Sequence, residues 1–465
     1  MKRNMLTLLL LFAVMSLCAQ NPKYVFLFIG DGMATPQRMV AEEFARIIGH
    51  GPLTINRFPY HATTRTSSAN ALITDSAAAA TAIACGEKTK NGRIGMDATG
   101  KRNLQSVAEV AKSKGKKVGI ITSVTINHAT PAGFYAHRKD RSQYYAIGLD
   151  LIASGFDYFG GGGVSKHNDK KSPDYKGDIY ELAAKAGYKV VNTKKDLLNL
   201  KPGCGKVLAR GSSGSLPYEI DADSSLPTLA EFTAKGIELL DNPAGFFMMI
   251  EGGAIDWCGH SNEAAGNLRE VIGLDNAVRV AVEFAEKHPG ETLIVVTGDH
   301  ETGGMAMGFA GTGYGLYLSR LAHQKCSIGK FAQIFNNAKK AKEDFSSEDG
   351  FSISKLFDIF AKKSKGDFSF EDAKKLLTEY FGFQFTGKGD MVLKSAHIKR
   401  LEDAFKANRL PQTAKQIMNE FSGVGWTTGA HTALPVLTTS TGVKAELFTG
   451  MIENTDISNK LKTLF

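Results

Sequence analysis

Residues 24–31 of the chain read YVFLFIGD, and this stretch decides the fold class. It is an apolar run that ends in Gly-Asp, without the alternation of polar and apolar residues that marks a strand exposed on one face. Similar runs stand at residues 118–124, 246–250 and 292–297, each followed within a few residues by Gly, Asp or Asn. Strands that are apolar on both faces are typical of a parallel sheet covered by helices.

The segments between these runs supply the helices. Residues 76–84 form an Ala-rich stretch, and two further helices are predicted near residues 104–114 and 268–287. Strands that alternate with helices predict an α/β fold, here a three-layer sandwich around a central, mostly parallel sheet.

Residues 321–421 differ from the rest of the chain, because they are rich in Lys and Phe and show helical spacing, for example around residue 357. Ser369 followed by Asp372 is a capping-box signature for one of these helices. We therefore predict a core at residues 20–320, a helical insertion at 321–421, and a C-terminal segment at 422–465 that completes the core. Strand-like sequence returns at residues 429–439 and 443–450.

The first nineteen residues predict an export signal, with a basic start, an apolar run at residues 6–14 and small residues up to Ala19. We expect cleavage after Ala19 and a mature protein that acts in the periplasm or outside the cell. Lipoprotein anchoring at Cys18 is the less favoured alternative, because Leu17 stands where a small residue is expected. No second apolar stretch is long enough to predict a transmembrane span.

Charge and cysteine content exclude several classes of protein. The chain has 56 Lys+Arg against 47 Asp+Glu, a net charge of +9, with no run of five like charges, so we predict no nucleic-acid partner. A mildly positive field suits small anionic substrates. The cysteines after the signal form no Cys-x-x-Cys pair, and their disulfide pairing stays open. They are Cys85, Cys204, Cys258 and Cys326.

Acidic and imidazole side chains follow the predicted strands at the points where the strands end. The carboxyl ends of parallel strands share one edge of the sheet, where active crevices lie. One histidine at a strand end is usually a hydrogen-bonded structural residue, but four strand ends with ligand-type residues favour a metal site. The residues are Asp31; His128 and Thr130; Glu251 and Asp256; and Asp299 and His300.

Asp256 and His260 are spaced i and i+4, so on a helix both side chains would reach one metal ion. Taken alone, the pair fits equally well a helix-start carboxylate beside a solvated histidine. Mixed carboxylate and imidazole ligands favour Zn²⁺, whereas carboxylate and hydroxyl oxygens favour Mg²⁺. The chain offers both kinds of ligand.

Ser76 opens the Ala-rich helix, and an isolated serine there is most often an N-cap. A helix N-terminus also binds anions, so the same position would hold a serine nucleophile against a phosphate. A nearby metal would lower the pKa of its hydroxyl. The guanidinium of Arg141 could donate two parallel hydrogen bonds to phosphoryl oxygens, although a lone arginine is more often a surface residue.

Six short motifs follow one another in a fixed order: GDGM at 30–33, TDSAA at 74–78, HATPA at 128–132, EGGAID at 251–256, GDHE at 298–301 and GAH at 429–431. In content and order they resemble the motifs of the alkaline phosphatase family, over nearly the whole chain. The resemblance implies the fold of that family and a metal-dependent phosphomonoesterase.

The resemblance also implies a role for each matching residue. Ser76 would be the nucleophile and Arg141 the phosphate-binding arginine. The first zinc site would use Asp256, His260 and His431. The second zinc site would use Asp31, Asp299, His300 and Ser76. The third, magnesium-type site would use Asp31, Thr130 and Glu251.

Two positions near the third site depart from the pattern of some family members. His128 stands where those members have Asp, and Trp257 where they have Lys. An imidazole in this environment accommodates Zn²⁺ or Co²⁺ better than a shell of oxygen ligands does. We therefore expect weaker dependence on Mg²⁺ than in the Asp/Lys members.

The reaction implied by the resemblance is hydrolysis of small phosphomonoesters through a phosphoserine at Ser76, by a homodimer. The alternatives are a phosphodiesterase or sulfatase of the same superfamily, or an inactive phosphate-binding protein. The Cys/Ser-x-Pro-x-Arg motif of sulfatases is absent, and no expected nucleophile or ligand is missing. The insertion is interpreted as a cap over the pocket or a subunit interface.

Overall fold

The computed structural model describes residues 21–343 and 368–465. The predicted export signal at residues 1–19, with Cys18, lies outside these ranges, and so does the helical spacing near residue 357. Within the two ranges, no helix combines the length and the apolar character that a bilayer crossing requires. The four cysteines that they contain are free thiols.

A central sheet of ten strands organises the described chain, in the order β14-β2-β13-β8-β1-β7-β3-β4-β6-β5. All neighbours pair in parallel except β13, which is antiparallel to both β2 and β8. The strands of this sheet are β1 (Tyr24–Gly30), β2 (Tyr60–Arg65), β3 (Lys117–Thr122), β4 (Tyr158–Gly161), β5 (Tyr188–Val191), β6 (Lys206–Arg210), β7 (Phe246–Gly252), β8 (Thr292–Gly298), β13 (Val436–Gly442) and β14 (Gly450–Glu453). Short ladders join β9 (Glu301–Thr302) to β12 (His431–Thr432) and β10 (Ala306–Met307) to β11 (Val424–Gly425).

Helices lie on both faces of the sheet. Those described are α1 (Thr35–Ile47), α2 (Ser76–Cys85), α3 (Val107–Ser113), α4 (Ala129–Ala132), α5 (Tyr144–Ser154), α6 (Ile179–Lys185), α7 (Lys194–Asn199), α8 (Leu229–Leu240), α9 (Ala254–His260), α10 (Ala264–Lys287), α11 (Ile328–Glu343), α12 (Phe370–Phe381), α13 (Ser395–Lys406), α14 (Leu410–Ser422) and α15 (Asn454–Lys462). Short 3-10 helices occur at Thr54–Asn56, Glu219–Asp221, Ala310–Thr312, Leu318–His323 and Ala445–Leu447. The predicted α/β sandwich with a mostly parallel central sheet is confirmed.

The strand that decided the fold class is buried along its whole length. Because successive side chains of a strand point to opposite faces, β1 contributes to two separate hydrophobic clusters. Phe26 and Phe28 belong to one cluster with Leu274 of α10, and Leu27 belongs to the other with Ile83 of α2. The core therefore lies on both sides of the sheet, as the unbroken apolar run predicts.

The region predicted as an insertion contains α11 to α14. The capping box of α12 is confirmed, since the backbone N–H of Ser369 donates to Asp372 Oδ2 at 3.0 Å and that of Asp372 donates to Ser369 Oγ at 3.3 Å. Phe331 of α11 and Ile417 of α14 belong to the same hydrophobic cluster as Leu268 of α10. The division into core, insertion and C-terminal segment stays a prediction.

One predicted strand is wrong. Residues 443–450 do not continue β13, because Gly442 and Lys444 take positive φ angles of 95° and 62° and turn the chain. The Ser440 hydroxyl donates to the Ala445 carbonyl at 2.8 Å and closes this turn. A 3-10 helix follows, and β14 begins only at Gly450.

Candidate active site

Three parallel strands deliver the central carboxylates to one edge of the sheet. Gly30 at the end of β1 pairs in register with Gly252 of β7 and Gly298 of β8. The next residues along β1 and β8, Asp31 and Asp299, therefore leave the sheet side by side, and both are completely buried. Parallel register thus predicts and explains the meeting of residues far apart in sequence.

Ser76 is the first residue of α2, and the residue before it is the N-cap. Asp75 accepts a hydrogen bond from the backbone N–H of Ala78 at 3.0 Å, so the interpretation of Ser76 as the cap is wrong. The Ser76 hydroxyl is free of capping and lies 3.3 Å from His300 Nε2. Every residue of α2 is buried, so the serine stands at the start of a helix that is packed on all sides.

The first group of candidate ligands consists of Asp31, Asp299 and His300. His300 Nε2 lies 3.3 Å from Asp31 Oδ1 and 3.2 Å from Asp299 Oδ2, and one ligand atom from each residue falls within 4.8 Å of the others. Within the described chain these two carboxylate oxygens are buried without a hydrogen-bond donor. Buried oxygens that lack donors are what a cation site requires.

The second group consists of Asp256, His260 and His431. The Nε2 atoms of the two histidines each lie 3.4 Å from a carboxylate oxygen of Asp256 and 3.2 Å from each other. Their Nδ1 atoms lie 2.8 Å from the backbone carbonyls of Gly429 and Thr74. If each Nδ1–H donates to its carbonyl, the Nε2 lone pairs face one common space, as in histidine metal ligands.

The third group lies behind Asp31 and contains Thr130, His128 and Glu251. Thr130 Oγ1 donates to Asp31 Oδ2 at 3.3 Å, and ligand atoms of Asp31, His128 and Glu251 lie within 4.8 Å of one another. His128 Nδ1 and Glu251 Oε1 are buried without a hydrogen-bond partner in the described chain. Trp257 meets His128 edge to face, with ring centroids 6.0 Å apart. This set mixes oxygen and imidazole donors.

Burial disfavours the charged forms of Glu251, Asp299 and His128. Asp256 is the exception, because burial raises its pKa but the histidines around it outweigh this and hold the pKa well below its ordinary value. Burial raises the pKa of Glu251 to about 8, and burial together with the charge of Asp256 raises that of Asp299 to about 7. Burial and the nearby Arg141 lower the pKa of His128 to about 4. The protein alone therefore disfavours negative charge on these carboxylates, and a bound cation would reverse this.

Arg141 stands beside the start of α2. Its guanidinium donates to Asp75 Oδ2 at 3.1 Å and lies 3.4 Å from His128 Nε2. Asp75 thus caps the serine helix and orients the arginine, a role that our sequence reasoning missed. The available signal was the strong preference for Asp at an N-cap.

Thr302 is the second residue that sequence reasoning missed. It is completely buried, and its hydroxyl donates to Asp256 Oδ1 at 2.5 Å. Nothing in the sequence near Thr302 identifies Asp256 as its partner. All twelve residues singled out from the sequence nevertheless lie in one connected network at this sheet edge.

The arrangement contains the parts that phosphoryl transfer needs. A serine hydroxyl at a helix N-terminus lies next to clustered carboxylate and imidazole ligands, and an arginine fork lies alongside. Cations and a guanidinium stabilise the charge of a transferring phosphoryl group.

Comparison with known proteins agrees with this chemistry. The family model described as alkaline phosphatase matches residues 22–465. Alkaline phosphatase 4 of Bacillus subtilis is 33% identical over 456 residues, which cover 94% of this chain and 87% of that protein. Alkaline phosphatase 3 of the same organism is 32% identical over 402 residues, covering 84% and 76%.

A solved structure is similar as well. The cold-active alkaline phosphatase of a psychrophilic Shewanella species superimposes with a TM-score of 0.78 at 28% identity, over 95% of this chain and 99% of that one. The fold, the clustered site and the family match all agree. The chain belongs to the alkaline phosphatase family and is a phosphoric monoester hydrolase.

Proposed function

We propose that this enzyme hydrolyses small phosphate monoesters in two steps, with Ser76 as the nucleophile. One observation carries the proposal: the Ser76 hydroxyl, at the start of a buried helix, lies 3.3 Å from His300, within a cluster of ligand atoms that lack donors. A serine held in this way has no structural task as a helix cap, since Asp75 performs it.

The residues present fit a set of three metal ions. A first zinc would be held by Asp256, His260 and His431, a second by Asp31, Asp299, His300 and Ser76, and a third ion by Asp31, Thr130 and Glu251. Bound zinc would supply Lewis acidity, which lowers the pKa of a serine hydroxyl and offsets charge on phosphoryl oxygens. The unpartnered oxygens of Asp31, Asp299 and Glu251 support this assignment.

The chain's own residues would bind and orient the substrate. Arg141, oriented by Asp75, donates two parallel hydrogen bonds to phosphoryl oxygens. The N-terminal amides of α2 add partial positive charge at the same point. Ser76 Oγ then forms a bond to phosphorus as the bond to the alcohol oxygen breaks. The proton of the serine hydroxyl is transferred to the departing alcohol, which leaves a phosphoserine.

The second step is hydrolysis of that phosphoserine. A water molecule attacks phosphorus from the side that the alcohol has left, the Oγ–P bond breaks, and Ser76 regains its proton as inorganic phosphate departs. Asp256, His260 and His431 would form the side of the site that faces the leaving alcohol and the incoming water.

The third site is proposed to accept more than one kind of metal ion. His128 lies within 4.8 Å of ligand atoms of Asp31 and Glu251, and Trp257 covers it on one side. An imidazole at this place supports Zn²⁺ or Co²⁺ beside Mg²⁺. We therefore propose weaker dependence on Mg²⁺ than in family members with Asp and Lys at these positions.

Export, assembly and the insertion are proposed on sequence grounds. The basic and apolar start of the chain supports a periplasmic or extracellular enzyme. The family resemblance supports a homodimer. The helices of residues 321–421 are proposed to cap the pocket or to form a subunit interface, because long insertions are commonly functional.

The proposal is tested by hydrolysis of p-nitrophenyl phosphate and of its bis-ester. We expect the zinc-loaded protein to hydrolyse the monoester preferentially, a chelator to abolish turnover, added zinc to restore it, and Ser76→Ala to remove it. Ser458→Ala is the matched control, because the buried Ser458 hydroxyl bonds the Ala84 carbonyl near the other end of α2 at 2.7 Å.

Each alternative gives a different result. A phosphodiesterase would turn over the bis-ester faster than the monoester. A phosphate-binding protein would turn over neither ester while still binding inorganic phosphate. Full activity in Ser76→Ala would contradict the proposed nucleophile.

A further inference from the structure

Glu301 is a buried carboxylate that the proposed chemistry does not use. It is completely buried and accepts hydrogen bonds from Gln37 Nε2 at 2.6 Å, from the N–H groups of Met305 and Gly304 at 3.1 and 3.0 Å, and from the Thr432 hydroxyl. No salt bridge reaches Glu301 from the described residues. The four hydrogen bonds around this buried carboxyl group therefore hold several segments of the chain together.

The donors to Glu301 come from three separate segments of the chain. Gln37 lies in the first turn of α1, where its side chain also donates to the Thr302 carbonyl at 3.1 Å and accepts from the Ala34 N–H at 3.1 Å. Gly304 and Met305 form the turn after β9. Thr432 lies in β12, 131 positions away along the chain. The carboxylate therefore joins β9 and the turn that follows it to α1 and β12, two elements far from it in sequence.

Two of the joined residues are direct neighbours of proposed metal ligands. Glu301 follows His300, and Thr432 follows His431. The rings of these two histidines stack with centroids 3.6 Å apart. The backbone ladder that connects their segments has only two residue pairs, His431 with Thr302 and Thr432 with Glu301. So short a ladder is marginal on its own.

We propose that Glu301, through the hydroxyl of Thr432, is a positioning residue that holds His431 in the first zinc site and thereby sets the zinc affinity of that site. This inference rests on the proposed function, which assigns His431 as a ligand. The ring of His431 is also held by the contact of Nδ1 with the Thr74 carbonyl at 2.8 Å and by its stacking on His300, but these contacts act on the ring and not on the backbone of β12. Substitution of a residue that supports a metal ligand typically weakens metal binding 10- to 100-fold.

The test uses Thr432→Val, which removes the hydroxyl at nearly constant volume, and Thr432→Ser, which keeps it. Thr233→Val is the matched control, because this buried threonine of α8 bonds the Leu229 carbonyl at 2.9 Å and has no proposed role in the site. Zinc affinity is measured by competition with a chromophoric chelator. The zinc ion of the first site is identified as the one whose binding is lost in His431→Ala.

We expect Thr432→Val to bind that zinc ion at least about tenfold more weakly, with Thr432→Ser and Thr233→Val close to the wild type. Turnover of Thr432→Val should be low at limiting zinc and return at saturating zinc. A purely structural role would instead lower the melting temperature of the zinc-free protein and leave zinc affinity unchanged. Glu301→Gln replaces one of the two carboxylate oxygens by an NH2 group that faces two of the four donors, and it should weaken zinc binding at least as much.

Two results would overturn the inference, and they differ in what they say about the proposed function. If His431→Ala weakens zinc binding and Thr432→Val does not, His431 is a ligand but Glu301 does not position it. If His431→Ala also leaves zinc binding unchanged, the assignment of the first zinc site fails and the inference fails with it. If Glu301→Gln does not fold, Thr432→Val still decides.

Discussion

The carboxylate of Asp75 shows how one residue prepares two parts of the site. Its Oδ1 caps α2 through the Ala78 N–H, while its Oδ2 accepts from the Gly92 N–H at 2.9 Å and from Arg141 at 3.1 Å. The ion pair with Arg141 is partly exposed, so it adds little to stability. Its contribution is to aim the guanidinium at the point where Ser76 would meet a phosphoryl group.

This geometry predicts the effect of Arg141→Lys. An ammonium group cannot make two parallel hydrogen bonds, so we expect the inhibition constant of inorganic phosphate to rise roughly tenfold, equivalent to about 1.4 kcal/mol. The substrate KM should rise with it.

Arg138→Lys is the control for that substitution. Arg138 also makes a two-pronged contact, to Asp150 at 2.5 and 2.7 Å, but within the described chain its side chain bonds only Asp150 and the Ala146 carbonyl, neither of which belongs to the proposed site. We expect a loss of stability without weaker phosphate inhibition. Equal phosphate inhibition in Arg141→Lys and wild type would contradict the assignment of Arg141.

Motifs revealed most of the candidate site residues, but not their supporting partners. Asp75 and Ser76 both suit an N-cap, and the sequence does not contain the backbone angles that choose between them. Glu301 was visible within its motif, yet its partner Thr432 lies 131 positions away. Supporting hydrogen bonds of this kind depend on tertiary contacts that a single sequence does not specify.

At the scale of elements, the helix that carries Ser76 packs unusually closely against the segment that carries Thr130. Six of the ten residues of α2 are Ala, and Gly133 follows α4 at the contact. A Cβ atom at Gly133 would lie 2.9 Å from Ala80 Cβ and 3.1 Å from its carbonyl carbon. Small residues therefore set the distance between the proposed nucleophile and the third site.

Gly133→Ala should force these two elements apart. Since the clash is with backbone as well as side chain, we expect a loss of about 1–3 kcal/mol in the free energy of unfolding, measured by urea denaturation, together with a lower kcat. Gly214→Ala is the control, because a Cβ atom there meets no atom within 4 Å. If Gly133→Ala and Gly214→Ala have the same urea midpoint and kcat, the close packing does not position the site.

The central strands were predictable and the outer ones were not. β1, β3, β7 and β8 are apolar because both of their faces are buried. By contrast, β2 reads YHATTR and alternates between buried and exposed, close to one edge of the sheet. The reversed direction of β13 depends on its pairing with β2 and β8, which local sequence does not encode.

At the scale of the whole molecule, the site concentrates buried acids that the protein alone leaves uncompensated. Burial raises the pKa of Glu251 from an ordinary 4.5 to about 8 and that of Asp299 from 3.8 to about 7. Between the unfolded and folded values, these two acids bind more protons in the folded metal-free protein than in the unfolded chain. Their contribution to stability must therefore fall as the pH rises through this window.

We expect the urea midpoint of the metal-free protein to decrease between about pH 6.5 and pH 8, above the range in which the buried His128 and His300 oppose the acids, and the decrease to be smaller in the metal-loaded protein. Cations should keep these carboxylates ionised at little cost, and they also stabilise the fold by binding it. Other buried acids, such as Glu263 with its pKa raised by burial to about 7, add to the slope in both forms. The difference in slope between the metal-free and the metal-loaded protein therefore measures the contribution of the carboxylates in the site.

Glu251→Gln serves as the internal check on this pH dependence. Without a titrating carboxyl at this position, the metal-free variant should lose less stability with rising pH than the metal-free wild type. Identical slopes in the loaded and metal-free wild type would contradict the view that these acids form the cation site.

If phosphate passes through a covalent bond to Ser76, peptide mass spectrometry after an acid quench will detect it on the protein. Zinc-loaded protein turning over p-nitrophenyl phosphate should carry a phosphate on the peptide that contains Ser76, and Ser76→Ala should carry none. Rapid turnover by the wild type with no phosphate on that peptide at any quench time, together with activity in Ser76→Ala, would contradict the account.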